Sequence, residues 1–371
     1  MQLSFWEHKN VFAKVDYTII GSGIVGLHTA ISLRNRFPKS KIIVLEKGIF
    51  PEGGSTKNAG FACIGSLSEL LSDLENHTEN EVIDLVQKRK SGLELLRKNL
   101  GDKNIDYQPF GGFEMFLNSQ KELLEKCQTA LPNVNLLLKS VIKKDIFQRV
   151  ETKKFFANVE NYAFFNAHEG QIDTGKMMQS LVRLAQKKHI QIINNCEVLH
   201  FNENAKNVTI SLKDFSFETG HLLIANNGYA AKLTGEAVLP ARAQVLITKP
   251  IKNLKIKGTF HLDEGYYYFR NFKNRILLGG GRNLDFEAET TTELATSDKI
   301  QNALERMLSE VILPHQKFEI DQRWSGVMGV GSQKKPIVKS LSNRVHCGVR
   351  MGGMGVAIGS LIGVELADLV Q

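Results

Sequence analysis

Val15-Asp16-Tyr17-Thr18-Ile19-Ile20-Gly21-Ser22-Gly23-Ile24-Val25-Gly26 is the stretch on which the reading of this chain turns. Its first six residues are apolar and β-branched-rich, the mark of a short buried parallel strand. Glycines follow at once. Apolar residues then recur at helical spacing (Ile24, Leu27, Ala30, Ile31, Leu33), and Pro38 predicts the stop. Lys41-Ile42-Ile43-Val44-Leu45 predicts a second strand that ends in Glu46. Gly21 allows the tight turn, Gly23 lets a pyrophosphate approach the backbone, and Gly26 lets helix and strand pack closely. The helix start at Ile24 and Val25 offers free N–H groups and a positive dipole end to phosphates. Glu46, with Lys47 beside it, lies about 20 residues beyond Gly26, where a carboxylate accepts hydrogen bonds from ribose hydroxyls and disfavours a 2′-phosphate. Together these parts read as a Rossmann βαβ unit binding a dinucleotide. The unit alone does not separate FAD from NAD.

Composition bounds the rest. The chain has 371 residues, more than one core usually holds, so two domains are expected. Apolar residues make up 42% and charged residues 23%, an ordinary globular balance. The net charge is +8, but Lys and Arg are scattered, which favours a solvated basic surface over a nucleic-acid site. Cys63, Cys127, Cys196 and Cys347 form no CxxC pair, so no zinc site, redox dithiol or disulfide framework is expected. Residues 1–14 carry Glu7, His8 and Lys9 and lack the apolar run of a signal peptide. Residues 351–370 are apolar, but glycines interrupt them and Glu365 and Asp368 lie among them, which predicts a glycine loop feeding a buried helix rather than a membrane span. A cytoplasmic protein with no membrane partner is the expectation.

Ordered segments along the chain carry a resemblance. Gly54-Ser55-Thr56-Lys57-Asn58-Ala59-Gly60, Glu169-Gly170-Gln171-Ile172-Asp173-Thr174, and the stretch from Gln191 to Val198 come first. Leu222-Leu223-Ile224-Ala225-Asn226-Asn227-Gly228, Leu239-Pro240-Ala241-Arg242-Ala243-Gln244, Arg323-Trp324-Ser325-Gly326 with Pro336, and Gly352-Gly353-Met354-Gly355-Val356-Ala357 follow. In this order they resemble the D-amino-acid oxidase family of FAD enzymes, which includes glycine, sarcosine and γ-glutamylputrescine oxidases. The resemblance implies an α/β fold: a Rossmann-like FAD-binding domain interwoven with a mainly antiparallel α+β substrate domain. It places residues 12–106, 161–239 and 322–371 in the first domain and 107–160 and 240–321 in the second. It implies non-covalent FAD, with Ser55, Thr56, Asn58, Ala59 and Gly60 running past the diphosphate to the isoalloxazine. Val198 would meet the adenine through its backbone, and Asn227 and Gly228 would return to the cofactor. Gly352, Gly353, Met354, Gly355 and Val356 would lie beneath the flavin pyrimidine. There, N–H groups and a helix N-terminus stabilise negative charge that arrives with a hydride.

For the substrate domain, residues 266–279 predict a hairpin whose loop is Asn271 to Asn274. Alternation sends Tyr266 and Tyr268 to one face and Tyr267 to the other, and either Tyr267 or Tyr268 faces the flavin. Gly111 to Phe116 reads as a further strand, more a sheet core than a pocket wall. Where the family's α-amino-acid oxidases place a carboxylate-clamping Arg shortly after the Trp-x-Gly segment, this chain has Met328. That puts a simple α-amino acid in doubt and turns attention to Arg242, Arg270 and Arg282.

The expected activity is transfer of a hydride from the CH–NH bond of a small amine or amino acid to flavin N5, giving an imine that hydrolyses. Lys57 would aid reoxidation by oxygen or another electron acceptor. Two alternatives stay open: a dehydrogenase of 2-hydroxy acids, and an oxidase modifying a tRNA wobble uridine.

Overall fold

The βαβ unit forms as its residues dictate. In the computed structural model, which describes residues 3–370, β1 (Val15–Ile20), α1 (Ile24–Arg36) and β2 (Ile42–Leu45) follow one another, with β1 and β2 parallel. A Cβ on Gly26 would stand 1.9 Å from the Gly21 carbonyl oxygen, so only glycine lets the helix lie this close to the strand.

Next come β3 (Phe61–Ala62), α2 (Leu67–Asn76), α3 (Glu79–Leu100) and β4 (Gly112–Glu114). The chain continues through α4 (Lys121–Leu137), β5 (Phe147–Glu151), β6 (Tyr162–Asn166), β7 (Gly170–Gln171), α5 (Thr174–Lys187) and β8 (Gln191–Ile193). Then follow β9 (His200–Glu203), β10 (Val208–Ser211), β11 (Ser216–Ile224), β12 (Leu239–Thr248), β13 (Thr259–Leu262), β14 (Tyr267–Phe272) and β15 (Arg275–Gly280). The last elements are α6 (Asp298–Met307), β16 (Ile320–Val330), β17 (Ile337–Ser340), β18 (Val345–Val349) and α7 (Gly355–Asp368). Ser66 with Glu69, and Thr78 with Glu81, close capping boxes at the starts of α2 and α3.

Two eight-stranded sheets organise these elements. The first runs β17-β18-β11-β1-β2-β8, parallel from β18 to β8, with β10 and β9 extending from β11. Tyr17, Ile19, Ile42, Val44 and Leu223 pack against α1, α3, α5 and α7. Ile20, Ile43, Leu45, Leu222 and Ile224 pack on the opposite face with Val208 and Ile210 of β10. Neighbouring residues thus serve opposite faces, and the central segments 19–20, 42–45 and 222–224 are apolar on both.

The second sheet runs β16-β12-β15-β14-β13-β4-β6-β5, antiparallel except for the pair β13 and β4. Its far face is a core in which Phe260 and Phe269 stack at 4.6 Å beneath Ile300 and Leu304 of α6. Its near face carries Val245, Leu277, Tyr268 and Trp324 against Ala59 and Phe61, from the segment that follows the βαβ unit. The two sheets therefore meet around residues 54–61. Among the described residues, no helix is long and apolar enough to cross a membrane.

Two expectations change. Asn271 and Phe272 belong to β14, leaving a two-residue hairpin turn at Lys273 and Asn274, where Lys273 takes a φ of +54°. Tyr162–Asn166 and residues 322–330 of β16, assigned from sequence to the FAD-binding domain, hydrogen-bond into the second sheet instead. Alternation along a strand reports that it is a strand, and not which sheet receives it.

Candidate active site

The start of α1 is a cradle of donors. Gly23, Ile24 and Val25 open the helix, and the Ile24 N–H donates to the Ser55 hydroxyl at 3.0 Å. The N–H groups of Gly23 and Val25 meet no acceptor among the described residues, as a helix start without a cap requires. The buried hydroxyl of Thr56 and the Asn226 side-chain oxygen also lack partners. Glu46 is buried and accepts from the Ser22 hydroxyl at 2.5 Å, the Ser22 N–H at 3.1 Å and the Gly48 N–H at 3.1 Å. Lys47 turns outward to pair with Glu197 at 2.9 Å. Val198 is buried with Ile20, Ile43 and Leu45, and its N–H meets no acceptor among the described residues.

Asn58 organises the segment that leads away from the cradle. Its side-chain nitrogen donates to the carbonyls of Gly54 (3.2 Å) and Ser55 (2.7 Å). Its oxygen accepts from the Gly60 N–H (2.8 Å) and the Thr174 hydroxyl (2.9 Å). Arg270 reaches from β14 to donate to the carbonyls of Ala59 and Ile172. Its burial lowers the guanidinium pKa to about 10. The Lys57 carbonyl accepts from the Trp324 indole N–H at 2.9 Å, and the Lys57 amine pairs with no carboxylate among the described residues.

The C-terminal loop approaches the same segment. Gly352 and Gly353 have φ of +57° and +83°, conformations that disfavour side chains. The N–H groups of Gly353, Gly355 and Val356 have no acceptor among the described residues, so the start of α7 presents free donors. Asn227, in the turn that follows β11, holds this loop: its side-chain oxygen accepts from Arg350 N–H at 3.0 Å and Met351 N–H at 3.1 Å. Beside it, Gly228 lies against the Met328 carbonyl. Met354 brings its sulfur to 3.9 Å from Cys63 Sγ.

The near face of the second sheet completes the enclosure with Tyr268, Trp324 and Met328. Burial pushes the Tyr268 phenol up to about 12. Phe61 sets its ring edge-on to Tyr268 (5.6 Å) and to His261 (5.3 Å). His261 Nε2 bonds the Glu169 carboxylate at 3.1 Å, and Cys63 lies within 4.8 Å of both groups. Burial opposes charge on His261, but Glu169, with Glu69 and Glu114 nearby, outweighs it and lifts the imidazole to about 9. Glu114 goes the other way: burial raises it to about 7 despite hydrogen bonds from Ser68. Burial raises the Cys63 thiol well above its ordinary range, and Glu169 and Glu69 add to the effect.

Several sequence candidates fall elsewhere. Tyr267 faces the far core beside Leu278 and Ile300, because strand alternation gives the near face to Tyr268. Arg242 forms a buried bidentate pair with Glu289 at 2.8 and 2.9 Å, Arg270 is committed to carbonyls, and the Arg282 guanidinium lies 4.7 Å from the Phe286 ring centroid. Phe113 packs against Phe165 and Phe260 in the core, while Glu114 turns to Ser68. The sequence reading passes over Phe61, Glu169 and His261 as site residues and takes Cys63 only as a cysteine outside any CxxC pair. Only Glu169 lay in a quoted motif, and a lone histidine in a strand carries no spacing signal.

The family model of the FAD-dependent oxidoreductases (DAO) matches residues 16–369. The chain belongs to the DAO family of FAD-dependent oxidoreductases. Solved structures of the same fold include L-proline dehydrogenase from P. horikoshii (16% identity, TM-score 0.76, covering 96% of this chain and 93% of that one). Glycine oxidase from Geobacillus kaustophilus matches at 18% identity and TM-score 0.75 (96% and 94% covered), and iminodiacetate oxidase from Chelativorans sp. BNC1 at 16% and 0.74 (95% and 95%). A comparison with curated proteins returned no match. As a DAO-family enzyme the protein uses FAD, and the unpartnered donors at the starts of α1 and α7, the buried Thr56 hydroxyl and the Glu46 carboxylate fit that cofactor.

Proposed function

We propose that this DAO-family enzyme oxidises the CH–NH bond of a small amine or amino acid. When bound, FAD supplies the two-electron acceptor. The observation that carries the reading is the composition of the near face: Phe61, Tyr268 and Trp324 offer aromatic walls suited to an alkylamine. Arg89, Arg242, Arg270 and Arg350 are each committed to protein acceptors, so no guanidinium fork from these residues is free for a carboxylate. The structural neighbours named for proline, glycine and iminodiacetate point to the same substrate class. In this reading Gly23, Ile24, Val25 and Ser55 hold the diphosphate, Glu46 the ribose, and Val198 the adenine. The start of α7 holds the pyrimidine edge. Tyr268 and Phe61 orient the substrate and exclude water.

The test is anaerobic mixing of FAD-loaded protein with panels of amines, amino acids and 2-hydroxy acids while following flavin absorbance. Bleaching by amines or amino acids is expected; bleaching by hydroxy acids alone would replace the reading. Lys57 is proposed to place its unpaired amine near the site of reoxidation. Lys57→Met should then slow reoxidation by oxygen at least about tenfold in stopped flow, and an unchanged rate removes the role.

A further inference from the structure

His261 occupies a position that the cradle and the aromatic walls leave unexplained. It stands on β13 in register with Tyr268 of β14 on one side and Glu114 of β4 on the other, so the three side chains share one face. Phe61 lies edge-on to both the His261 and Tyr268 rings. Cys63, which touches Met354 of the C-terminal loop, links the imidazole to the start of α7. The ring is therefore beside the space that the two sheets enclose.

Its two nitrogens have different fates. Nε2 is spent on Glu169, which is itself held by Asn166 and the Thr259 hydroxyl, both at 3.4 Å. Nδ1 has no hydrogen-bond partner among the described residues, and it is not among the buried polar atoms sealed off without one. A carboxylate fixed on one nitrogen sets the ring's orientation and favours the doubly protonated form, which makes Nδ1–H a charged donor. Other cations on this side are occupied: Arg270 by carbonyls, Arg89 by the Ile64 carbonyl, and Lys334 by Asp73 at 2.6 Å. Lys57 remains, and the reading above assigns it to reoxidation.

We infer that His261 is a specificity-determining residue whose Nδ1–H holds an acceptor group of the substrate, a carboxylate or carbonyl, in place of an arginine fork. The inference rests on the amine-oxidation reading. It describes a single directed donor, so acid-bearing and acid-free amines should both bind, with the acid-bearing ones favoured.

The experiment uses the FAD-loaded protein and three probes: acetate, read by perturbation of the flavin spectrum, N-methylglycine, and N-methylpropylamine. His261→Gln should weaken acetate and raise KM for N-methylglycine by roughly ten- to a hundredfold, while KM for N-methylpropylamine changes less than about twofold. Equal changes for the two amines, or unaltered acetate affinity, would overturn the inference. If His261→Gln does not take up FAD, the unmodified protein decides. The imidazolium exists below its pKa of about 9, so acetate affinity should fall at least about tenfold between about pH 7.5 and pH 10. Of the other groups facing the ring, Tyr268 (about 12) titrates above that window and Glu114 (about 7) below it, while burial raises the Cys63 thiol well above its ordinary range and Glu69 is held low. Glu169 is its ion-pair partner. A flat profile overturns the assignment. If neither amine reduces the flavin, the amine reading fails, and the acetate titration still reports on His261.

Discussion

Asn227 carries one loop on one amide oxygen. It takes a left-handed backbone (φ +47°), a conformation asparagine tolerates, and aims its side chain at the Arg350 and Met351 N–H groups. The sequence places Asn227 at a strand end beside a glycine, which marks the position. The task of anchoring a loop that lies 123 residues later is invisible there. Replacing Asn227 with Ala would strand two donors, at a cost of about 1–3 kcal/mol. The expected outcome is a ten- to hundredfold rise in the FAD dissociation constant, roughly as that energy converts, measured by flavin fluorescence. Asn227→Asp keeps an acceptor and should recover most of the affinity; equal loss in both variants would show that the oxygen is not what matters.

At the scale of elements, the βαβ unit was legible because every cue in it is short-range. Strand, glycine turn, helix and acid lie within 32 residues, from Val15 to Glu46, and each cue acts on its neighbours. Gly26→Ala tests the tightest contact: its Cβ would meet the Gly21 carbonyl oxygen at 1.9 Å. Separation of α1 from β1 should cost about 1–3 kcal/mol or more. A lowered denaturation midpoint with poor FAD uptake is the expected result, and wild-type values for both would refute the packing argument. Elsewhere the signals were weaker. Tyr267 and Tyr268 could not be told apart, because alternation separates faces without naming them. The core beneath α6 took Tyr267, leaving Tyr268 for the near face.

Across the whole molecule, buried histidines set the response to acid. Burial lowers His28, inside α1, and His346, stacked on His221 at 5.7 Å, to about 4. Both therefore stay neutral in the folded chain while the unfolded chain takes up protons below about pH 6.5. Their contribution is present above that pH and is lost as pH falls toward 4. Glu114, raised to about 7, opposes them, since its stabilisation is lost as pH rises from about 4.5 to 7. Two histidines against one glutamate leave a net loss on acidification. His261, raised to about 9, contributes below about pH 6.5 and fades as pH climbs through 9. The Tm of FAD-free protein should fall from pH 7 to pH 5 and again as pH rises from 7 to 9. A Tm that rises on acidification to pH 5 would contradict the balance.

The amino-acid sequence by itself determined the βαβ unit with its donor-rich helix start and buried Glu46, since glycine spacing, a helix start and a terminal acid act over a few residues. It also marked the donor-rich start of α7 through Gly352 and Gly353. Only the tertiary structure decided the opposing wall. Phe61, Cys63, Glu169, His261 and Tyr268 come from segments spread over most of the chain, and they meet through the register of β4, β13 and β14 and the docking of residues 54–61. Such register is settled by which apolar faces bury each other, a choice made between strands far apart in the chain.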